Sequence, residues 1–208
     1  MAVKAVIFDI GGVVVDADLE RYASIAAKLF SSTEQDVRLA VQTRIGKLET
    51  GHTDSEAFWK EICEFLWSQG KGKQVEPAQY KGLWRKVLTD KMKINLQMLN
   101  LCWSLNRRGV IVGALSNTIL EHAEHLASLG AYQPFRPLVL SCEVGLRKPD
   151  RAIYLLTAKK AGKAPKECLF VDDSMANIEG AKAAGMQVHH YTAMPGLLQE
   201  LGRHKLLG

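Results

Sequence analysis

Val3-Lys4-Ala5-Val6-Ile7-Phe8-Asp9-Ile10-Gly11-Gly12-Val13 is the stretch that decides the fold. Ala5 to Phe8 is a continuous apolar run. Its length and its β-branched residues predict a buried strand and not a helix. Gly11 and Gly12 then force a turn, so Asp9 stands at the carboxyl end of that strand. In open parallel sheets ligands bind outside the carboxyl ends of the strands. Asp9 is therefore the first candidate site residue.

Outward from this strand the chain divides in two. From about Asp18 to Lys91 the pattern is helical, with Tyr22, Ile25, Ala26 and Leu29, and then Phe58, Ile62, Phe65 and Leu66, at spacings of three and four. Thr53-Asp54-Ser55-Glu56 predicts a helix start. Trp59, Trp67 and Trp84 are expected to form the aromatic core of a small bundle, and Gly70-Lys71-Gly72-Lys73 a loop within it. After Ile94, strands are expected at 109–115, 138–140, 168–171 and 186–191. Helices are expected at 119–129, from the cap Asp150 to Lys160, at 176–184 and at 197–201. Such alternation means an α/β fold, a parallel sheet covered by helices. Residues 1–16 and 93–208 are expected to form the α/β core, with 17–92 as an inserted helical domain.

Composition sets the outer limits. The chain has 208 residues, 47% hydrophobic and 24% charged, an ordinary globular balance that excludes disordered and fibrous classes. No apolar run approaches the roughly 18 residues of a membrane span, so no membrane partner is expected. The N-terminal apolar run is too short and too soon followed by Asp9 for a secretory signal, which points to the cytoplasm. The net charge of +5 favours anionic substrates. The basic residues are scattered in pairs such as Arg107-Arg108 and Lys159-Lys160 without interleaved aromatics, so no nucleic-acid partner is expected. Cys63, Cys102, Cys142 and Cys168 are too far apart for a zinc or redox motif and predict reduced, mostly buried thiols. His122 and His125 share a helix face with no third ligand evident. A monomer and a homodimer both remain open.

Four strand ends carry polar residues: Asp9, Ser116-Asn117, Lys148 a few residues past its strand, and Asp172-Asp173. Three carboxylates, a hydroxyl and an ammonium in one crevice suggest a specific chemistry. Hard oxygen ligands suit Mg²⁺. A lysine and a hydroxyl beside the metal suit a phosphoryl group, which makes a small phosphorylated substrate the expected partner. A carboxylate can serve as nucleophile and form an aspartyl phosphate.

Phe8-Asp9-Ile10-Gly11-Gly12-Val13, Leu115-Ser116-Asn117, Lys148-Pro149-Asp150 and Phe170-Val171-Asp172-Asp173-Ser174 resemble, in order, the four motifs of the haloacid dehalogenase superfamily. The helical insertion resembles that family's C1-type cap. Leu48-Glu49-Thr50-Gly51-His52-Thr53, followed by Glu56, Phe58 and Trp59, is similar to caps of sugar-phosphate phosphatases and 2-haloacid dehalogenases. The resemblance implies a Rossmannoid core and a nucleophile at Asp9. It implies that Ser116, with Asn117 beside it, and Lys148 hold the phosphoryl group. It implies Mg²⁺ on Asp173, assisted by Asp172, with Asp9 and the Gly11 carbonyl as further ligands. The chain departs from the family's phosphatases at Gly11, where they usually carry a second aspartate that protonates the leaving group. Asp16 and Asp18 are the weaker candidates for that proton. Some relatives with glycine at this position act on sugar 1-phosphates, whose leaving groups need less acid help. A metal-free 2-haloacid dehalogenase is the alternative enzyme, against which Asp172-Asp173 argues. A binding protein without turnover is the alternative from another class.

Overall fold

β1 (Ala5–Phe8) is buried along its whole length and explains why its sequence is apolar without alternation. Val6 and Phe8 point into one core, and Ala5 and Ile7 into the other, on the opposite face of the sheet. The computed structural model describes residues 2–16, 21–88 and 93–207. After β1 come β2 (Val15–Asp16), α1 (Arg21–Phe30), α2 (Glu34–Gln42), α3 (Ile45–Glu49), α4 (Ser55–Ser68), α5 (Pro77–Tyr80), α6 (Leu83–Leu88) and β3 (Lys93–Ile94). The chain continues through α7 (Leu96–Arg107), β4 (Ile111–Ser116), α8 (Leu120–Ser128), β5 (Leu138–Leu140), α9 (Ser141–Val144) and α10 (Arg151–Lys160). It ends with β6 (Cys168–Asp172), α11 (Met175–Ala183), β7 (Gln187–His190) and α12 (Met194–Arg203).

The main sheet has five strands in the order β5-β4-β1-β6-β7. All its pairs are parallel, as the alternating sequence predicts. Phe8 is in register with Ala114 on one side and Val171 on the other, so the ends of β1, β4 and β6 lie side by side. One face is covered by α7, α8 and α12, and the other by α10 and α11. A second, two-stranded ribbon pairs Val15 with Ile94 and Asp16 with Lys93 in antiparallel fashion. It joins the chain leaving the sheet to the chain returning to it. The joints expected at residues 17 and 92, and Asp18 with them, lie outside the described residues. Asp16 is exposed on the ribbon. No helix among the described residues is long and apolar enough to cross a membrane.

Helices α1 to α6 share a core of their own, which includes Tyr22, Phe30, Phe58, Trp59, Ile62, Leu66 and Trp84. Thr33, Asp54 and Asn95 cap α2, α4 and α7 by accepting from Asp36 N at 3.1 Å, Ala57 N at 2.8 Å and Met98 N at 3.0 Å. Each such cap contributes about 1 kcal/mol. Trp67 corrects the expectation of a three-tryptophan core. It stands one position past Leu66, a rotation of about 100° about α4, and so turns off the buried face. It is 55% exposed.

On α8, His122 is buried edge-on against Trp84 of α6, with ring centroids 5.6 Å apart at 89°. Burial, with nearby His125 adding to it, lowers its pKa to about 4. The unfolded chain keeps a value near 6.5 and so binds more protons between those limits. Stability contributed by neutral His122 is thus present above about pH 6.5 and lost as the pH falls toward 4. In denaturant titrations, the wild type should lose roughly 3 kcal/mol more than a His122→Phe variant between pH 7 and pH 4. Parallel pH curves would show that the ring is free to charge in place.

Candidate active site

The carboxyl edge of the sheet gathers the expected residues. Asp9 follows β1, and its main-chain N donates to Val171 O at 2.8 Å, which holds it beside the end of β6. Ile10 N donates to Asp9 Oδ1 at 2.6 Å. Lys148 is almost wholly buried and reaches two carboxylates. Its Nζ lies 2.8 Å from Asp9 Oδ1 and 2.7 Å from Asp172 Oδ2. Asp9, Asp172 and Asp173 offer oxygens that all lie within 4.8 Å of one another.

The loop that carries Lys148 is held by Asn117. The Asn117 amide donates from Nδ2 to Lys148 O at 3.0 Å, and its Oδ1 accepts from Lys148 N at 2.8 Å. Next to it, Ser141 Oγ accepts from Thr118 N at 2.9 Å and donates to Thr118 O at 3.2 Å. These four bonds join the segments after β4 and β5. Two of them use both ends of the Asn117 amide, which thereby holds the main chain of Lys148. Ser116 is buried at the end of β4, and its Oγ makes a long contact of 3.4 Å with the Asn117 carbonyl.

Asp172 is saturated. Its Oδ1 accepts from Ser174 N at 2.8 Å and Asn177 Nδ2 at 3.1 Å, and its Oδ2 accepts from Asn177 at 3.1 Å and Lys148 at 2.7 Å. Asn177 belongs to the site although it lies outside all four motifs. Its signal is its place on the first turn of α11, where a helix start faces the carboxylate. Tyr154 holds it from behind by donating to Asn177 O at 2.8 Å. His190 donates from Nε2 to the Asp173 carbonyl at 2.9 Å, which gives that histidine a structural place.

The two glycines after Asp9 differ. Gly12 has φ +71°, and a Cβ there would collide with the Asp173 carboxylate. Glycine is thus needed twice over, for its backbone and for its missing side chain. At Gly11 a Cβ would meet nothing within 4 Å.

Burial pushes the Asp9 carboxyl up to about 7; Lys148 opposes this and Asp172 adds to it. Asp173 is raised by burial and then by Asp172. Burial works to lower the Lys148 ammonium, but Asp9 and Asp172 together outweigh it and hold it above its usual value. Three carboxylates face one ammonium, so the cluster is short of positive charge. A divalent cation relieves that shortage, and an all-oxygen donor set fits a hard one such as Mg²⁺.

A buried carboxylate at the end of the central strand, a lysine paired with it and an acid cluster beside them, at the switch point of a parallel sheet, point to a hydrolase of the α/β class. The chain matches the haloacid dehalogenase-like hydrolase family over residues 3–185 and belongs to it. A phosphatase of Mycobacterium tuberculosis is 30% identical over 203 residues, covering 91% of this chain and 87% of that protein. The D-ribitol-5-phosphate phosphatase of Bacteroides thetaiotaomicron is 27% identical over 195 residues, covering 89% of this chain and 90% of its own. Among solved structures, a family enzyme of Bacteroides thetaiotaomicron in complex with magnesium and inorganic phosphate superposes with a TM-score of 0.71 at 27% identity, over 92% of this chain and 95% of that one.

Proposed function

We propose that the chain is a Mg²⁺-dependent phosphatase of small phosphomonoesters, with a sugar or polyol phosphate as the substrate class. The observation that carries this reading is the Lys148 ammonium set between Asp9 and Asp172, with Asp173 alongside. The relative that hydrolyses D-ribitol 5-phosphate supports the substrate class, and the magnesium and phosphate bound to the solved family enzyme support the cofactor.

In this reading an Asp9 oxygen attacks phosphorus, and the bond from phosphorus to the ester oxygen breaks. Water then hydrolyses the aspartyl phosphate and frees Asp9. Lys148 and the Ser116 hydroxyl hold the non-bridging oxygens, and Asn117 fixes Lys148 through its main chain. Asp9, Asp173 and the Gly11 carbonyl would hold Mg²⁺. Asp172, with both oxygens already taken, assists by aligning Lys148 and Asn177. Bound Mg²⁺ supplies the positive charge that lets the carboxylates stay ionised together beside a phosphoryl group. Residues 1–16 and 93–208 serve as the catalytic core and 17–92 as a C1-type cap. The separate core shared by α1 to α6 supports that division, with Ile119 of the 93–208 segment packed against it. Halide displacement, the alternative, needs no cation and so gives the Asp173 carboxylate beside Asp9 and Asp172 no use.

A phosphate-release screen over sugar, polyol, nucleotide and short-chain acid phosphates, with Mg²⁺ and with chelator, tests the reading. Release from none of them, or release untouched by chelation, would overturn it. The metal assignment has its own test. In calorimetry Asp173→Ala should weaken Mg²⁺ binding by at least about tenfold, since second-sphere changes alone cost that much. Unchanged affinity would remove Asp173 from the ligand set.

A further inference from the structure

Two short stretches meet where the helical unit touches the sheet. One is 46–51, all of α3 past its first residue and the turn after it. The other is 142–147, which leads from α9 into Lys148. Arg147 Nη2 lies 2.8 Å from Glu49 Oε2, and the Glu49 side chain is 18% exposed. Gly46 leaves room for the guanidinium, because a Cβ there would stand 2.8 Å from Arg147 Nη1. Gly51 has φ +69°, and a Cβ on it would collide with the Cys142 carbonyl. Three contacts thus seat the same turn of the helical unit on the same loop of the sheet.

The loop leads directly into the site. Lys148 turns to Asp9 and Asp172, and Arg147, the residue before it, turns to α3. The main chain is pinned on both sides of this pair of residues. Arg147 O accepts from Asp150 N at 3.0 Å, and Lys148 is gripped through N and O by Asn117. Burial pushes the Glu49 carboxyl up, while Arg147 and then Lys148 oppose it, so Glu49 feels the site's own ammonium as well as its partner. Glu49 is the more buried partner, so removing Arg147 leaves a largely buried carboxylate without its cation, which costs more than losing a rim ion pair.

We propose that Glu49 and Arg147 are a positioning pair that seats the helical unit at a fixed place relative to Lys148. By doing so they set how tightly the part of the substrate beyond the phosphoryl group is held. The kinetic consequence rests on the phosphatase reading; the seating does not. Neither residue touches the reacting atoms. A sugar or polyol phosphate is long enough to reach both units, whereas acetyl phosphate has almost nothing with which to reach the helical one.

The test uses Glu49→Gln, Arg147→Gln and the double variant of the full chain. For the best sugar or polyol phosphate, kcat/KM should fall by about tenfold or more in each single variant, mainly through KM. The double variant should be no worse than the worse single one, because the two side chains act as a unit. With acetyl phosphate all three should stay within about threefold of wild type, the range of changes remote from the chemistry. Hydrogen exchange needs no turnover. Amides of 46–51 should exchange faster in either single variant, while β1 and β6 stay protected. Equal losses on both substrates, losses that multiply in the double variant, or unchanged exchange at 46–51 would each overturn the pair's role. If wild type hydrolyses no phosphate while exchange still quickens in the variants, the phosphatase reading fails and the seating stands.

Discussion

Exchanging Asp9 for asparagine should lower the single-turnover rate of phosphate release by at least about 10⁴-fold, as expected when the nucleophile of a covalent mechanism is lost. An amide of the same shape cannot form the acyl phosphate. The fold should survive. Asparagine keeps an oxygen for Ile10 N, and Lys148 keeps Asp172 Oδ2 at 2.7 Å. The stability change has a definite sign. Burial raises Asp9 from 3.8 to about 7 in the metal-free protein. The native state therefore binds the proton more tightly than the unfolded chain, and stability falls as the pH rises from about 4 through 7. Asp9→Asn removes that loss, so at pH 8 without metal the variant should melt at or above the wild-type temperature. Quenched-flow phosphate release and thermal melts on one preparation check both halves. Turnover surviving in protein free of deamidated chains and contaminating phosphatase would show that Asp9 is not the nucleophile.

What the sequence made legible follows from how locally each feature is written. β1 could be read because a strand that feeds two cores must be apolar at every position, and Ala5 to Phe8 are. Asp9, Ser116 and Asp172-Asp173 could be read because strand ends are marked by the change from apolar to polar. What holds Lys148 in place could not be read. Asn117 lies 31 positions away from it, and the Ser141–Thr118 link spans 23. Contacts at that distance exist only once β4 and β5 are paired. Asn117 shows the consequence: its position next to Ser116 suggests a place beside the phosphoryl group and gives no sign that its amide holds the Lys148 main chain. The β2–β3 ribbon has two residues per strand, too few to show a period. α7 is absent from the expected elements although its signals are present in the sequence. Asn95 caps it, and Met98, Cys102 and Leu105 form its buried face. The side that Trp67 takes is not legible, because an aromatic residue within a helical segment carries no mark of its face until the turn is counted from Leu66.

Restoring a carboxylate at residue 11 should speed hydrolysis of phosphates with poor leaving groups by roughly 10²–10⁴-fold, the usual range of general acid–base help. The structure permits the change at this glycine and forbids it at the next. A side chain at 11 enters open space, whereas one at 12 would strike the Asp173 carboxylate. A fourth carboxylate beside Asp9, Asp172 and Asp173 is held protonated by its neighbours, which is the state a general acid needs. In the wild type no aspartate at this position protonates the departing oxygen, so negative charge builds on it in the transition state. Single-turnover rates should then fall steeply as leaving-group pKa rises, with activated aryl phosphates and sugar 1-phosphates ahead of matched primary alkyl phosphates. Gly11→Asp should flatten that slope mainly by lifting its slow end, and leave the aryl phosphates nearly unchanged. Gly11→Asn, equal in size but without the proton, separates acid catalysis from simple filling of the space and should leave the slope steep. A wild-type rate independent of leaving-group pKa would mean that another group already delivers the proton. Asp16, exposed on the ribbon that joins the helical unit to the sheet, would be the first residue to replace.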